Sequence, residues 1–258
     1  MNNIDINING DVTQVTFLSE GKAMTGYVRT PAGSPPFPSV LMFHGGVTDS
    51  EKNTLKMVGS KEAEFFLQAG YLVFSADWRT LQDAGDPSKL RRSDALEAYN
   101  YLKDMNEVDP KRIVCYGHSA GATTAVWTAI QTDVKGTVAA AGILDYARYA
   151  RFGVDTGKTF ITDILFPVLG DDFKKGQRYR LASPLDFLEQ IQSPLLIIHG
   201  AEDQIVPVDQ AYLFEETLKK YNKDFQMVII ENGSHKVNNY KKIIITMVEF
   251  FKKCLNEN

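Results

Sequence analysis

The sequence predicts a doubly wound α/β fold built on a mostly parallel sheet. Short apolar runs without polar alternation recur along the chain, which is typical of strands covered on both faces. Amphipathic helical patterns lie between these runs, so strands and helices alternate. With 258 residues, 44% of them hydrophobic, the chain is long enough to bury a substantial core. We therefore expect one domain over residues 1–258, with ligands bound beyond the carboxyl ends of the strands.

The N-terminal part has a different pattern from the rest of the chain. Residues 4–30 alternate apolar and polar side chains around Gly10-Asp11 and Glu20-Gly21, which predicts antiparallel strands at the start of the sheet. The apolar runs predict buried strands at 38–43, 71–75, 112–116, 136–144, 194–198 and 226–230. Helical patterns lie at 51–69, 88–106, 119–132, 208–222 and 237–256.

One connection is longer than a usual crossover. About fifty residues separate the strand that ends near Leu144 from the strand that begins at Pro194. This length predicts a small cap-like insertion at about 146–183. We expect its aromatic side chains to pack the cap onto the body and its charged side chains to face water.

Composition and charge exclude several classes of function. The formal net charge of −4 gives no basic face for nucleic acid, and no window approaches the ~18 apolar residues of a membrane span. The N-terminus has neither a basic n-region nor an apolar h-region, so we expect a cytoplasmic protein. Cys115 and Cys254 form no disulfide framework or metal-ligand cluster. We predict no metal and no cofactor, and the oligomeric state stays open.

The pentapeptide Gly117-His118-Ser119-Ala120-Gly121 carries the first chemical signal. It stands directly behind the apolar run 113–116 and before a helical pattern, which is the arrangement of a nucleophile elbow. A serine on so sharp a turn needs small neighbours, because the strained backbone brings adjacent segments close together. Gly117, Ala120 and Gly121 meet this need, so Ser119 is the predicted nucleophile.

A serine hydroxyl needs an adjacent base, and the base needs an orienting acid. Of the four histidines, His235 is the one that follows a glycine and a serine just past the last predicted strand, on a loop able to bring imidazole over the serine. Asp203 lies on the loop after the preceding strand and is the predicted acid. Its neighbour Glu202 stays open as an alternative, because adjacent side chains on a loop point in different directions.

The remaining candidates bind the substrate. The backbone N–H of Ala120 is one expected donor to the oxyanion, and Gly45 or Gly46, after the first parallel strand, supplies the other. Five side chains at or near strand ends are candidates for the substrate pocket: His44, Trp78, Arg79, His118 and Asp145. The position of His44 favours a role in orienting nearby loops, Arg79 could equally brace a loop, and His118 is expected at the pocket edge or in packing.

Together these motifs resemble the α/β-hydrolases over about residues 15–256, and most closely the dienelactone-hydrolase and prolyl-oligopeptidase-like branch. The resemblance rests on Phe43-His44-Gly45-Gly46, on 109–113 leading into the elbow, on Ser183-Pro184, on 194–203 and on Gly233-Ser234-His235. It implies a mostly parallel eight-stranded sheet with helices on both faces and a cap insertion. Ser119 stands where dienelactone hydrolases have cysteine, and within these 258 residues we expect no counterpart of the N-terminal propeller of prolyl-oligopeptidase-type peptidases.

The expected function is that of a serine hydrolase that cleaves carboxylic esters through an acyl-enzyme on Ser119, with a small-molecule ester or a short peptide as substrate. Two alternatives stay open. A peptidase or amidase of the prolyl-oligopeptidase-like type would use the same groups. A non-catalytic ligand receptor on a hydrolase fold belongs to a class that often loses a triad member, whereas Ser119, Asp203 and His235 are all present here.

Overall fold

The computed structural model describes residues 11–46, 50–80, 87–173, 176–237 and 240–256. Its sheet has eight strands in the order β1-β2-β4-β3-β5-β6-β7-β8. β1 and β2 pair antiparallel, as do β2 and β4, and every later pairing is parallel. The predicted α/β-hydrolase fold is confirmed. The strands are β1 Thr13–Ser19, β2 Lys22–Arg29, β3 Phe37–Phe43, β4 Leu72–Ala76, β5 Val108–His118, β6 Thr137–Ala140, β7 Leu195–Gly200 and β8 Phe225–Ile230.

Helices cover both faces of this sheet. Alternate residues of a strand point to opposite faces, and in the central strands both sets are apolar. Leu41 and Phe43 belong to an apolar cluster with α3, α4 and α8, whereas Val40 and Met42 belong to one with α1, α2 and α9. The helices are α1 Ser50–Val58, α2 Lys61–Gln68, α3 Pro87–Lys103, α4 Ala120–Gln131, α5 Tyr146–Thr156, α6 Thr159–Leu169, α7 Gln177–Ala182, α8 Asp209–Lys220 and α9 Lys241–Cys254. In the described ranges, none of these is both long and apolar enough to cross a bilayer.

Two predicted elements have different boundaries in the structure. The helix predicted at 51–69 is broken, since α1 ends at Val58 and α2 begins at Lys61. The Ser60 hydroxyl accepts the Ala63 N–H and caps the second helix, which explains the new start. The strand predicted at 136–144 ends at Ala140, because the next residue has a positive φ of 49° that leaves the extended conformation.

The insertion between β6 and β7 contains the helices α5, α6 and α7, which share an apolar cluster of their own. Tyr146, Tyr149 and Tyr179 are buried in or beside it, as expected of packing residues. Phe160 differs, because 46% of its surface is exposed. The lysines at 174 and 175, predicted to face water, lie outside the described residues.

Candidate active site

Ser119 occupies a strained turn between β5, which ends at His118, and α4, which begins at Ala120. Its φ of 55° and ψ of −123° are unusual for a residue with a side chain and cost about 1–3 kcal/mol. A Cβ on Gly117 would lie 2.2 Å from the Gly121 carbonyl oxygen, and one on Gly121 would lie 2.2 Å from that of Phe43. Both positions therefore require glycine. The Ser119 hydroxyl makes no capping hydrogen bond to α4.

Asp203 holds the imidazole of His235. The Nδ1–H of His235 donates to Asp203 Oδ2 over 2.7 Å, and the Asp203 side chain is fully buried. Asp203 Oδ1 accepts the backbone N–H groups of Ile205 and Val206, each at 2.9 Å. Glu202, in contrast, is exposed. Of the two adjacent carboxylates, the structure brings Asp203 against His235.

The electrostatic balance around Asp203 favours its ionised form. Burial alone would raise the pKa of this carboxyl group, but hydrogen bonds from His199, His235 and the backbone N–H of Val206 outweigh burial. The pKa of Asp203 is therefore held well below its usual value. A carboxylate that stays ionised keeps the proton of His235 on Nδ1 and leaves Nε2 free to accept one.

The loop that carries His235 is fixed by two further contacts. A Cβ on Gly200 would lie 2.3 Å from the Gly233 carbonyl oxygen, so the end of β7 and this loop approach closely. The Nε2–H of His118 donates to the His235 carbonyl oxygen over 2.9 Å. Burial, together with the neighbouring His235, lowers the pKa of His118, which favours its neutral form. His118 thus links the elbow to the loop of the proposed base.

His199 braces the loop of Asp203 from inside the protein. Its Nε2–H donates to the Val206 carbonyl oxygen over 2.9 Å and lies 3.4 Å from Asp203 Oδ2. The ring is 1% exposed, and its Nδ1 has no hydrogen-bond partner in the part of the chain that the structure describes. Two histidines, His199 and His235, therefore approach the same oxygen of Asp203, Oδ2.

Two cavities meet at Ser119. The larger, of about 530 Å³, is mainly lined by polar residues and contains His44, Gly45, His118 and His235. The smaller, of about 140 Å³, is apolar, and its side-chain lining comes mainly from the insertion: Ile143, Tyr146, Tyr149, Phe160, Ile161, Ile164, Leu165 and Ile205. The two cavities thus differ in volume and in the residue types that line them.

The predicted oxyanion donors lie at the junction of these cavities. Gly46 lines both of them, and Ala120 lines the smaller one. A Cβ on Gly45 would lie 3.0 Å from Ser119 Cβ, so the chain after β3 passes close to the nucleophile. Gly46 has a φ of 89°, which favours glycine. Ala120 starts α4, where backbone N–H groups have no partner within the helix.

Three of the predicted pocket residues line neither of the two cavities beside Ser119. Trp78 is fully buried and stacks on His44, with ring centroids 5.2 Å apart. Arg79 is buried and pairs with Asp94, with Nε 3.0 Å from Oδ1. Asp145 caps α5 by accepting the N–H of residue 148 over 3.0 Å, and it lines a separate groove.

The other two pocket candidates, His44 and His118, do line the larger cavity. Both nitrogens of His44 lie at hydrogen-bond distance from polar atoms, at 2.9 Å from the Gly45 carbonyl oxygen and 2.9 Å from Ser50 Oγ. These contacts agree with a role of His44 in orienting nearby loops. Sequence reasoning missed Glu62, which lines the same cavity from α2. A signal existed, because Glu62 stands four residues before the buried Phe66, on the apolar face of its helix.

Known proteins resemble this chain in both sequence and structure. A model of the prolyl oligopeptidase family matches residues 58–258. The Bacillus subtilis protein called "Uncharacterized peptidase YtmA" is 28% identical over 227 residues, which cover 86% of this chain and 84% of that protein. "Esterase EstD" of Thermotoga maritima is 26% identical over 240 residues, covering 82% of this chain and 57% of the esterase.

Solved structures share the fold. The acylaminoacyl peptidase of Pyrococcus horikoshii superposes with a TM-score of 0.82 at 23% identity, covering 96% of this chain and 42% of the peptidase. A truncated carbohydrate esterase from gut microbiota superposes with a TM-score of 0.77 at 18% identity, over 95% of this chain and 97% of the esterase. The chain thus spans less than half of the peptidase. Since the family model covers most of its length, the chain belongs to the prolyl oligopeptidase family of serine hydrolases.

Proposed function

We propose that the protein hydrolyses carboxylic esters that carry a short apolar acyl group. The observation that carries this proposal is the apolar cavity of about 140 Å³ beside Ser119 and Ala120. At ~30 Å³ for each water-sized group, such a cavity accepts a chain of roughly five heavy atoms. The larger polar cavity, which His235 lines, then receives the alcohol.

The proposed reaction is acyl transfer to water. His235 Nε2 removes the proton of Ser119 as the hydroxyl oxygen attacks the ester carbonyl carbon, while Asp203 stabilises the imidazolium that forms. The oxyanion accepts hydrogen bonds from the N–H of Ala120 and from that of Gly46, or of Gly45 as the alternative. Gly46 is favoured, because it lines both cavities. Each such donor contributes on the order of 3 kcal/mol to the transition state.

The same groups complete the formation of the acyl-enzyme and then its hydrolysis. His235 gives its proton to the leaving alcohol as the carbon–oxygen bond breaks, which leaves an acyl-enzyme on Ser119. A water then loses a proton to His235 and attacks the acyl carbon. The acid is released when the Ser119 oxygen takes the proton back from His235.

Peptide or amide hydrolysis is the second candidate, and the family supports it as strongly. YtmA is named a peptidase, EstD is named an esterase, and both match this chain at similar identity. The same groups serve both reactions, which differ in the protonation of the leaving amine. The apolar cavity would then bind the side chain of the substrate residue on the acyl side of the scissile bond.

One pair of matched substrates separates the two candidates. N-acetyl-leucine p-nitrophenyl ester and N-acetyl-leucine p-nitroanilide share an acyl part and differ in the bond cleaved. We expect turnover of the ester by the wild type, with none in Ser119→Ala. Cleavage of the anilide with comparable kcat/KM would overturn the esterase proposal and support the peptidase.

A fluorophosphonate probe tests the remaining alternative, a hydrolase fold that only binds ligands. The probe reacts with an activated serine, so we expect labelling of the wild type and none of Ser119→Ala. An intact, folded wild type that resists the probe would contradict the proposed triad and favour the receptor.

A further inference from the structure

Glu62 is a buried carboxylate that is only partly satisfied. It lies on α2 and is 1% exposed. Its Oε1 accepts the hydroxyl of Tyr116 over 2.9 Å, whereas its Oε2 has no hydrogen-bond partner among the described residues. A carboxylate offers about four acceptor sites, and a buried one without partners is costly. The position therefore needs a donor that the described part of the chain does not supply.

Glu62 is one of the residues that line the cavity beside Ser119. Glu62, Ser119 and His235 all line the cavity of about 530 Å³. Tyr116 and His118 stand two residues apart on β5, so their side chains lie on the same face of the sheet. Tyr116 binds the carboxyl group of Glu62, and His118 binds the loop of His235.

The cavity is the one that receives the leaving group in the proposed reaction. The apolar cavity on the other side of Ser119 takes the acyl part, and His235, which protonates the leaving atom, lines the Glu62 side. A leaving group that extends away from the scissile bond therefore enters the cavity that Glu62 lines.

Two lysines of the chain also line this cavity, Lys56 and Lys236. As placed, neither forms an ion pair with Glu62 within 4.0 Å, and Oε2 stays without a partner among the described residues. Because both lysines are positively charged, they would favour an anionic leaving group over a cationic one. The cleavage of an ester with an anionic alcohol part therefore measures this alternative.

We propose that Glu62 binds a protonated amine carried by the leaving group of the substrate. This inference rests on the proposed function. An ammonium group supplies both an N–H donor and a positive charge, and hydrogen bonds between charged partners are roughly twice as strong as neutral ones. Tyr116 keeps the carboxylate oriented, so little reorganisation accompanies binding. The substrate class is thus an ester, or an amide in the second candidate reaction, whose alcohol or amine part bears a cationic amine.

The test uses esters of butanoic acid that differ in one group. The 3-(dimethylammonio)propyl ester and the 4-methylpentyl ester have the same shape and differ in carrying N–H⁺ or C–H, and the 4-carboxybutyl ester carries an anion. The enzyme is the full chain, and butanoate release is followed. We expect the wild type to prefer the ammonium ester over its neutral isostere by about tenfold or more in kcat/KM, the scale of one hydrogen bond to a charged group.

Glu62→Gln removes the charge and keeps an oxygen for Tyr116. We expect it to lower kcat/KM for the ammonium ester at least about fivefold more than for the 4-methylpentyl ester. Glu189→Gln makes the same change at an exposed position and is expected to keep the wild-type preference. If Glu62→Gln does not fold, the inference is tested by the wild-type ratio of kcat/KM for the ammonium ester to kcat/KM for the 4-methylpentyl ester.

Three results would overturn the inference: equal kcat/KM for the two isosteric esters, a preference that survives in Glu62→Gln, or a preference for the carboxylate ester. If fluorophosphonate labels Ser119 and the neutral ester is cleaved, these failures leave the proposed function intact. If no ester is cleaved and Ser119 is not labelled, the proposed function fails and the inference falls with it.

Discussion

Replacement of Asp203 by asparagine tests the proposed triad at the atom that holds the base. Asp203 Oδ1 accepts two backbone N–H groups at 2.9 Å, so the single oxygen of an asparagine is retained on that side. Its NH₂ group then faces His235 Nδ1, which lies 2.7 Å from Oδ2 in the wild type. His235 must accept this hydrogen bond with Nδ1 and carry its proton on Nε2. In that tautomer it cannot take the proton of Ser119.

The expected loss is large and lies in kcat. The wrong tautomer lowers kcat by about 10⁴-fold, which corresponds to ~5.4 kcal/mol at 1.36 kcal/mol for each factor of ten. KM is expected to change little, because neither cavity beside Ser119 is lined by Asp203. The control is Glu202→Gln, the same chemical change on the exposed neighbour, which we expect to alter kcat by less than about twofold.

The low pKa of Asp203 also predicts a pH dependence of stability. Its folded pKa is held below the unfolded value of about 3.9, so the ionised group stabilises the fold above that value. This contribution is lost as the pH falls through the folded pKa. The free energy of unfolding of the wild type should therefore exceed that of Asp203→Asn by a margin that shrinks when the pH is lowered from 7 toward 3.

The assay measures p-nitrophenol release, the rate of fluorophosphonate labelling and urea unfolding on the wild type and both variants. Asp203→Asn must remain folded at pH 7 for its kinetics to count. Retention of more than a tenth of the wild-type kcat in Asp203→Asn, or a large loss in Glu202→Gln instead, would refute the reasoning about the acid.

Four further substitutions, one of them a control, test the framework and the acyl side of the site. Gly121→Ala adds a methyl group 2.2 Å from a β3 carbonyl oxygen, so we expect destabilisation by about 1–3 kcal/mol in urea unfolding and loss of fluorophosphonate labelling. Asp94→Asn removes the carboxylate that pairs with the buried Arg79 and should cost about 3–5 kcal/mol by the same measurement. Asp186→Asn, in an exposed ion pair, should cost less than about 1 kcal/mol. Ile164→Phe fills part of the apolar cavity, so a series of p-nitrophenyl esters should show an optimum at shorter acyl chains than in the wild type.

The turn at Ser119 between β5 and α4 could be predicted from the sequence, because it depends on short-range constraints. A strand, a serine between small residues and a helix determine a turn within a few residues of chain. The 2.2 Å approach of Gly121 to Phe43 shows why that turn admits no side chain there. His235 was also recognisable, because few histidines exist and one follows the last strand.

The sequence favoured Asp203 but could not exclude Glu202 as the acid, since which side chain meets His235 depends on contacts made across the fold. Asp203 is turned inward because two N–H groups of its own loop bind one oxygen while His199 and His235 approach the other. Contacts across the fold also explain why Arg79 and Trp78 line neither cavity. Both residues follow β4 at the carboxyl edge of the sheet, but Arg79 pairs with Asp94 on α3 and Trp78 stacks on the ring of His44.

The two sides of the site have different origins in the fold. The apolar cavity is built mainly by the insertion, whereas Glu62 belongs to α2 and its partner Tyr116 to β5, both parts of the main sheet and its covering helices. Substitutions in α5 or α6 should therefore change the preference for the acyl part and leave the discrimination between ammonium and neutral leaving groups unaltered. Glu62→Gln should do the opposite. Because the two effects act through separate cavities, a double variant of Ile164→Phe and Glu62→Gln should show additive changes in kcat/KM within about 0.5 kcal/mol.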